Sequence, residues 1–169
     1  YAEASKIAIQ SIADYTWNME AYDSRESWLQ AIRDLMPENA EYLKTFVSHN
    51  SDLGPNGHNF QRMESEEIAP ALDTLINEFR DNGTVNRRAY EQVARECNNI
   101  ITASYMLLTA EDNRPLAKEI KPWLRYFREL GEYGCAVLDM VRTAAEKDTE
   151  SFEAAYRRAK ALRTIMQMT

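Results

Sequence analysis

The side chains most able to do chemistry in this chain are two histidines, two cysteines and a scatter of carboxylates. His49 and His58 bracket a stretch with no regular period, residues 48–59, with Asp52 between them and Glu64 just beyond. Two imidazoles and a carboxylate could suit zinc. The spacing does not match a metal-binding pattern such as His-Glu-x-x-His on one helix face. The alternative, and the reading taken here, is that the Asn, Asp and His side chains bond local backbone groups and hold an irregular loop. No metal or cofactor is therefore assigned.

Cys97 and Cys135 fall on or beside apolar stripes of two different helices. Neither belongs to a Cys-x-x-Cys pair or has an evident histidine partner. They read as buried free thiols, and a bridge is open to them only if their Cα atoms lie within about 7 Å. Glu66-Glu67 and the other acidic residues sit mainly in first turns or on outer faces, where they stabilise helix dipoles. A glycosidase of the usual kind needs two carboxyls opposed across one bond, which this pattern does not supply. Arg157, Arg158, Lys160 and Arg163 make the last helix basic, but on more than one face. Trp17, Trp28 and Trp123 could stack on sugar rings, though their helical spacing suits core packing better. There is no Gly-rich phosphate loop and no Ser-His-Asp set.

The elements that carry these residues are helices. Apolar residues recur at steps of three and four, as in Leu116, Ile120, Trp123, Phe127, Leu130, Gly134, Val137 and Val141. Similar stripes run through Tyr90, Val93, Ala94, Cys97, Ile101, Ser104 and Leu108, and through Phe152, Ala155, Tyr156, Ala159, Leu162 and Met166. A fourth joins Ile68, Leu72, Leu75, Ile76 and Phe79. No sustained two-residue alternation appears, so the class is all-α, a multihelical bundle of about seven helices. Asp23 with Glu26 opens one helix, Asn86 caps another, and Asp148 or Thr149 caps the last. Asp81-Asn82-Gly83 ends the fourth. Pro70 and Pro122 each lie in a first turn or kink their helix. The first helix, Glu3 to Trp17, is apolar on two sides, which is the habit of a helix placed between two layers of protein.

At 169 residues, 44% hydrophobic and 28% charged, the chain can bury a core without a metal or disulfide staple. Its formal charge of -7 argues against nucleic acid or an anionic membrane as partner. No apolar run approaches the ~20 residues of a membrane span. The chain starts at Tyr1 rather than Met, and this suggests a segment of something longer.

Several segments resemble one family. Ile12-Ala13-Asp14-Tyr15-Thr16-Trp17-Asn18, then Tyr22-Asp23 and Ser27-Trp28, look like the end of the catalytic barrel in glycoside hydrolase family 84. The run His49-Asn50-Ser51-Asp52-Leu53-Gly54-Pro55-Asn56-Gly57-His58 is similar to a loop in Bacteroides-type members. Asn113-Arg114-Pro115-Leu116 and Lys121-Pro122-Trp123 fall where the family has similar runs. The resemblance implies a parent enzyme that removes β-linked N-acetylglucosamine by a retaining, substrate-assisted route, using two adjacent barrel aspartates. This sequence has no Asp-Asp pair, so no catalytic residue is carried over.

On the resemblance, residues 1–18 are expected to be the last helix of the barrel and residues 19–169 the helical bundle that follows it. Ile7, Tyr15, Trp17 and Trp28 would face the barrel, and Ile7, Tyr15 and Trp17 would leave an apolar patch in its absence. His49, Asn50, Asp52, Asn56 and His58 would form a loop at the substrate-side rim. The partners implied are the barrel and, through it, a glycan, in a secreted or periplasmic setting. The competing readings are a stand-alone helical protein-interaction module and a small metalloenzyme built on the loop histidines. Metal analysis of the purified chain is expected to find no stoichiometric zinc; one equivalent surviving dialysis would restore the histidine site.

Overall fold

The computed structural model describes residues 5–21, 23–48, 68–110, 112 and 114–168. Among the described residues there are seven α-helices, one 3-10 turn and no strand. The helices are α1 (Ser5–Trp17), α2 (Ser24–Leu35), α3 (Ala40–Ser48), α4 (Ile68–Asn82), α5 (Arg87–Thr109), α6 (Pro115–Glu146) and α7 (Thr149–Met166). The 3-10 turn, Pro37–Asn39, leads into α3. This is the all-α architecture that the three- and four-residue spacing predicts.

Short polar side chains set the helix starts. The Asp23 carboxylate accepts from the Glu26 N–H at 3.1 Å, Asn86 Oδ1 from the Ala89 N–H at 3.1 Å, and Asp148 from the Ser151 N–H at 3.1 Å. Each satisfies a first-turn donor that has no partner within the helix. The Asp148 carboxyl lies below the usual carboxylate range chiefly because Ser151 donates to it. Asp112, whose side chain is 6% exposed, accepts from the Arg114 backbone N–H at 2.9 Å and from its guanidinium at 2.7 Å. That pairing holds its carboxyl below the usual range and anchors the entry to α6.

Helix ends need backbone that bends out of the right-handed coil. Gly83 follows α4 at φ +67°, and its N–H donates to the Phe79 carbonyl at 2.7 Å. Between α6 and α7 the same role falls to Lys147, at φ 59°. The Asp148 N–H reaches back to Thr143 O at 2.9 Å and the Lys147 N–H to Ala144 O at 3.2 Å, the paired closure of a Schellman motif. Pro70 lies in the first turn of α4. Pro122 lies in the interior of the 32-residue α6, so the Lys118 carbonyl has no N–H to accept from at that position.

The chain divides into two compact units. The first comprises residues 1–65 and 103–124, the second residues 66–102 and 125–169, so α5 and α6 each contribute to both. In the first unit α1 packs on α2 and α2 on α3. Its interior holds Trp28, Ile32, Met36, Leu43 and Phe46 with Leu116, Ile120 and Leu124. The second unit buries Leu72 and Leu75 of α4, Val93, Cys97 and Ile100 of α5, Phe127, Leu138 and Val141 of α6, and Ala159 and Leu162 of α7. Ala136, Ala159 and Leu162 form one cluster there, with Tyr133 and Met140 packed against it.

The buried faces are rotated slightly from the sequence stripes. On α6, Leu124 and Leu138 are buried while Trp123 and Leu130 are only partly covered. On α5, Ile100, Ala103 and Leu107 are buried where the stripe has Ile101 and Leu108. On α7, Tyr156 is 51% exposed, and Ala159 and Leu162 are the residues that reach the interior.

Small residues let α5 and α6 approach closely in the second unit. A Cβ added at Gly131 would lie 2.7 Å from Ile101 Cγ1, 2.9 Å from the Cys97 carbonyl oxygen and 2.9 Å from Ile100 Cγ2. The carbonyl belongs to a helix backbone and cannot swing aside. Gly131→Ala is therefore expected to destabilise by roughly 1–3 kcal/mol, although alanine is the better helix former by about 1 kcal/mol. Lys147→Gly should move stability the other way, by up to about 1 kcal/mol, since it relieves a left-handed non-glycine residue. Urea denaturation of the two variants checks both signs.

Candidate docking face on the first helix

α1 lies on α2 with its polar residues inward. Ser27 Oγ on α2 donates to the Asp14 carboxylate on α1, and Gln10 Nε2 on α1 donates to Asp34 Oδ2 at 3.4 Å. Asp34 is itself steadied by Gln30 Nε2 at 2.7 Å, one turn back on its own helix. Successive residues of an α-helix are rotated by about 100°. With Gln10 and Asp14 turned toward α2, the stripe Ile9, Ile12 and Tyr15 is turned away from it.

Exposure agrees with that geometry. Ile9 is 60% exposed, Ile12 63%, Tyr15 48% and Trp17 93%, and Met19 beyond the helix end is 67% exposed. Five large apolar side chains crowded into eleven residues differ from the scattered apolar exposure normal on a protein surface. The side chains of Ile7, Ala8 and Ser11 are outside the described residues.

Of the residues that the sequence assigns to a barrel-facing surface, Tyr15 lies on the open side, while Trp17 is 93% exposed at the end of α1 beside the turn to α2. Trp28 is instead 7% exposed and belongs to the interior of its own unit. The reason is its place on α2, where Trp28, Ala31 and Ile32 form the single buried stripe of a helix polar on its other side. The assigned rim loop, His49, Asn50, Asp52, Asn56 and His58, lies outside the described residues. The sequence also points to Ile9 and Ile12 as apolar surface, but their 3,3 spacing with Tyr15 acquires direction only once Asp14 and Gln10 are seen to face α2. The Asp14–Ser27 pairing has no separate sequence signal.

Beside Trp17 the turn between α1 and α2 forms an open cleft of about 440 Å³, lined by Asp14, Trp17, Asn18, Asp23, Glu26 and Gln30 among others. Two of its carboxylates are engaged in holding the fold, Asp14 accepting from Ser27 and Asp23 from the first turn of α2. Asn18 Oδ1 accepts from the Ala21 N–H at 3.4 Å and steadies the turn. No His, Cys, Lys or Arg is among the described lining residues, and the hydroxyl that is paired with a carboxylate there, Ser27 with Asp14, is the contact that joins α1 to α2. Among the described residues no three His, Cys, Asp or Glu side chains are grouped to hold a metal ion. No described helix is long and apolar enough to cross a membrane.

These features define the class: a helical segment whose leading helix presents an apolar face and which carries no assembled reaction centre among its described residues. The chain belongs to the bacterial GH84 post-catalytic domain family, whose model matches residues 64–169. Residues 1–48 match the model of a second family, β-N-acetylglucosaminidase. The fold is similar to the solved structure of CpGH84D, with 28% identity and a TM-score of 0.77 over 98% of this chain. It is similar to that of CpGH84B with 23% identity and the same TM-score and coverage, a likeness of fold. The chain spans 28% of the length of each of those proteins.

The two tryptophans give a direct check. Trp17→Ala is expected to change stability by less than about 0.5 kcal/mol, whereas Trp28→Ala should cost roughly 3–5 kcal/mol. Acrylamide should quench the fluorescence that Trp17→Ala removes and spare the fluorescence that Trp28→Phe removes.

Proposed function

We propose that this chain is the helical segment that follows the catalytic barrel of a secreted or periplasmic GH84 β-N-acetylglucosaminidase, and that α1 docks on that barrel. In this reading residues 1–18 are the barrel's last helix and residues 19–169 the bundle that braces it. The parent enzyme removes β-linked N-acetylglucosamine from glycans with retention. The substrate's own acetamido oxygen attacks the anomeric carbon while two adjacent barrel aspartates polarise the acetamide and handle the proton. The sequence of this chain contains no such aspartate pair. Its contribution is mechanical, and the loop at residues 48–59 is assigned to the substrate-side rim on the family resemblance.

The observation that carries the reading is the outward apolar face of α1, set within the stretch that matches the β-N-acetylglucosaminidase family. Covering a side chain such as Ile12 or Trp17 is worth about 1.5–3 kcal/mol, enough in sum to hold two bodies together. A barrel supplies that cover from the same polypeptide, where no association entropy opposes it.

Charged substitutions on this face separate the readings. In the isolated chain Ile9→Asp and Ile12→Asp should each change stability by less than about 0.5 kcal/mol, since the sites are open. In the full-length enzyme each should cost about 2 kcal/mol or more, because a carboxylate is then buried against the barrel. Equally small effects in both would reject the docking and favour a stand-alone interaction module. The isolated chain should not hydrolyse a chromogenic N-acetylglucosaminide, and turnover by it would overturn the assignment of the chemistry to the barrel.

A further inference from the structure

The close approach of α5 and α6 at Gly131 places two thiols together. Cys135 lies one turn beyond Gly131 on α6, and the Cys97 carbonyl lies 2.9 Å from where a Gly131 Cβ would stand. Cys97 and Cys135 lie near enough at that crossing for each to be the largest influence on the other's ionisation. Both are free thiols; Cys97 is 0% exposed and Cys135 is half-buried. Core packing alone would not ask for the partial exposure of one member.

We propose that Cys97 and Cys135 are an oxidisable pair that closes to a disulfide between α5 and α6, with a small-molecule disulfide such as oxidised glutathione as the oxidant. Helices kept apart by ordinary side chains at the crossing hold facing Cα atoms beyond the roughly 4.4–6.8 Å that a disulfide spans. Gly131 removes that spacer. Cys135, the half-buried member, is also the one in position to react first.

The surroundings fit that order of events. Interaction with the Cys97 thiol is the main influence that brings the Cys135 thiol down to about 7, and Arg158 of α7 adds a positive charge. Burial, with Asp139 and Glu132 on its own helix, opposes them. From α5, Tyr90 also senses the Cys135 charge, and the charge of the adjacent Glu96 adds to the rise at Cys97. Cys97 is pushed in the other direction, first by its interaction with the Cys135 thiol and then by burial. Cys135 thiolate attacks one sulfur of the oxidant, whose S–S bond breaks and releases a thiolate that takes a proton from water. Charge on Cys135 then disappears, and with it the main influence that kept Cys97 protonated. Cys97 loses its proton to water and attacks Cys135 Sγ, expelling the second small thiolate, which is protonated in turn. Two electrons pass from the protein pair to the oxidant, and two small thiols leave.

Incubating the purified chain in glutathione redox buffers, followed by intact mass, peptide mapping and thermal melting, tests this. The expected result is a monomer about 2 Da lighter, a linked Cys97–Cys135 peptide and a melting point raised by roughly 5–10 °C. Cys97→Ala should stop at a single glutathione adduct on Cys135, formed at a rate that rises at a higher pH than the wild-type first step, because the main influence lowering the Cys135 thiol is gone. Cys135→Ala should leave Cys97 unmodified in the folded protein. A wild-type chain that retains both thiols, accumulates a stable adduct on Cys135 or forms linked dimers in the same buffers would overturn the proposal. So would closure that requires denaturant.

Discussion

The hydrogen bond from Ser27 to Asp14 sets the rotation of α1 about its own axis, and the surface of the first unit follows from it. A helix can offer a neighbour only one side. Once Asp14 and Gln10 are turned to α2, geometry leaves Ile9, Ile12 and Tyr15 no option but the far side. The usual arrangement for a surface helix is the reverse, with the apolar stripe inward. Charged and amide groups thus do the joining while the stronger apolar attraction is held in reserve for another surface. Such an arrangement is tolerable because α2 carries its own apolar stripe, Trp28, Ala31 and Ile32, into the interior without help from α1.

The second unit relies on a different device. There the helices are brought together by the absence of side-chain bulk, with Gly131 against the α5 backbone and Ala136 and Ala159 in the cluster with Leu162. Close backbone approach strengthens dispersion contacts, which are individually small and collectively large. It also leaves little tolerance, because an added methyl at Gly131 meets backbone rather than a side chain that can turn away. Exposed ion pairs, such as Arg87 with Glu91 at 2.8 Å and Arg142 with Glu146 at 3.2 Å, ornament the outer faces and contribute little by comparison.

Most of the fold could be read in the sequence because it is written in local terms. Helical spacing and short polar caps are properties of neighbouring residues, so Asp23, Asn86 and Asp148 announce their roles directly. The exact buried face is a tertiary matter. Leu124 lies deeper than Trp123 because a bulky indole is accommodated at the margin while a compact side chain fits the interior. The turn at Lys147 escaped notice because no glycine marks it; its left-handed backbone is imposed by the return of Asp148 to Thr143. For α1, a double apolar character was legible and its direction was not. Direction depends on Ser27 and Asp34, thirteen and twenty-four residues from their partners. Trp28 shows the opposite limit: the family resemblance puts it on a barrel-facing surface, whereas its helical spacing suits the core, and the amphipathic pattern of its own helix turns it inward.

Pro122 has a bearing on how the chain loosens. It interrupts the hydrogen-bond ladder of α6 close to residues 124 and 125, where that helix passes from one compact unit to the other. Helices ordinarily fray from their ends, but a missing bond in mid-helix creates a second origin for opening. Amide hydrogens on the two sides of the proline can then exchange as separate cooperative groups, each with the stability of its own unit. The longest helix in the molecule would in that sense be two shorter ones joined end to end, so that fluctuation in one unit need not melt the helix through the other.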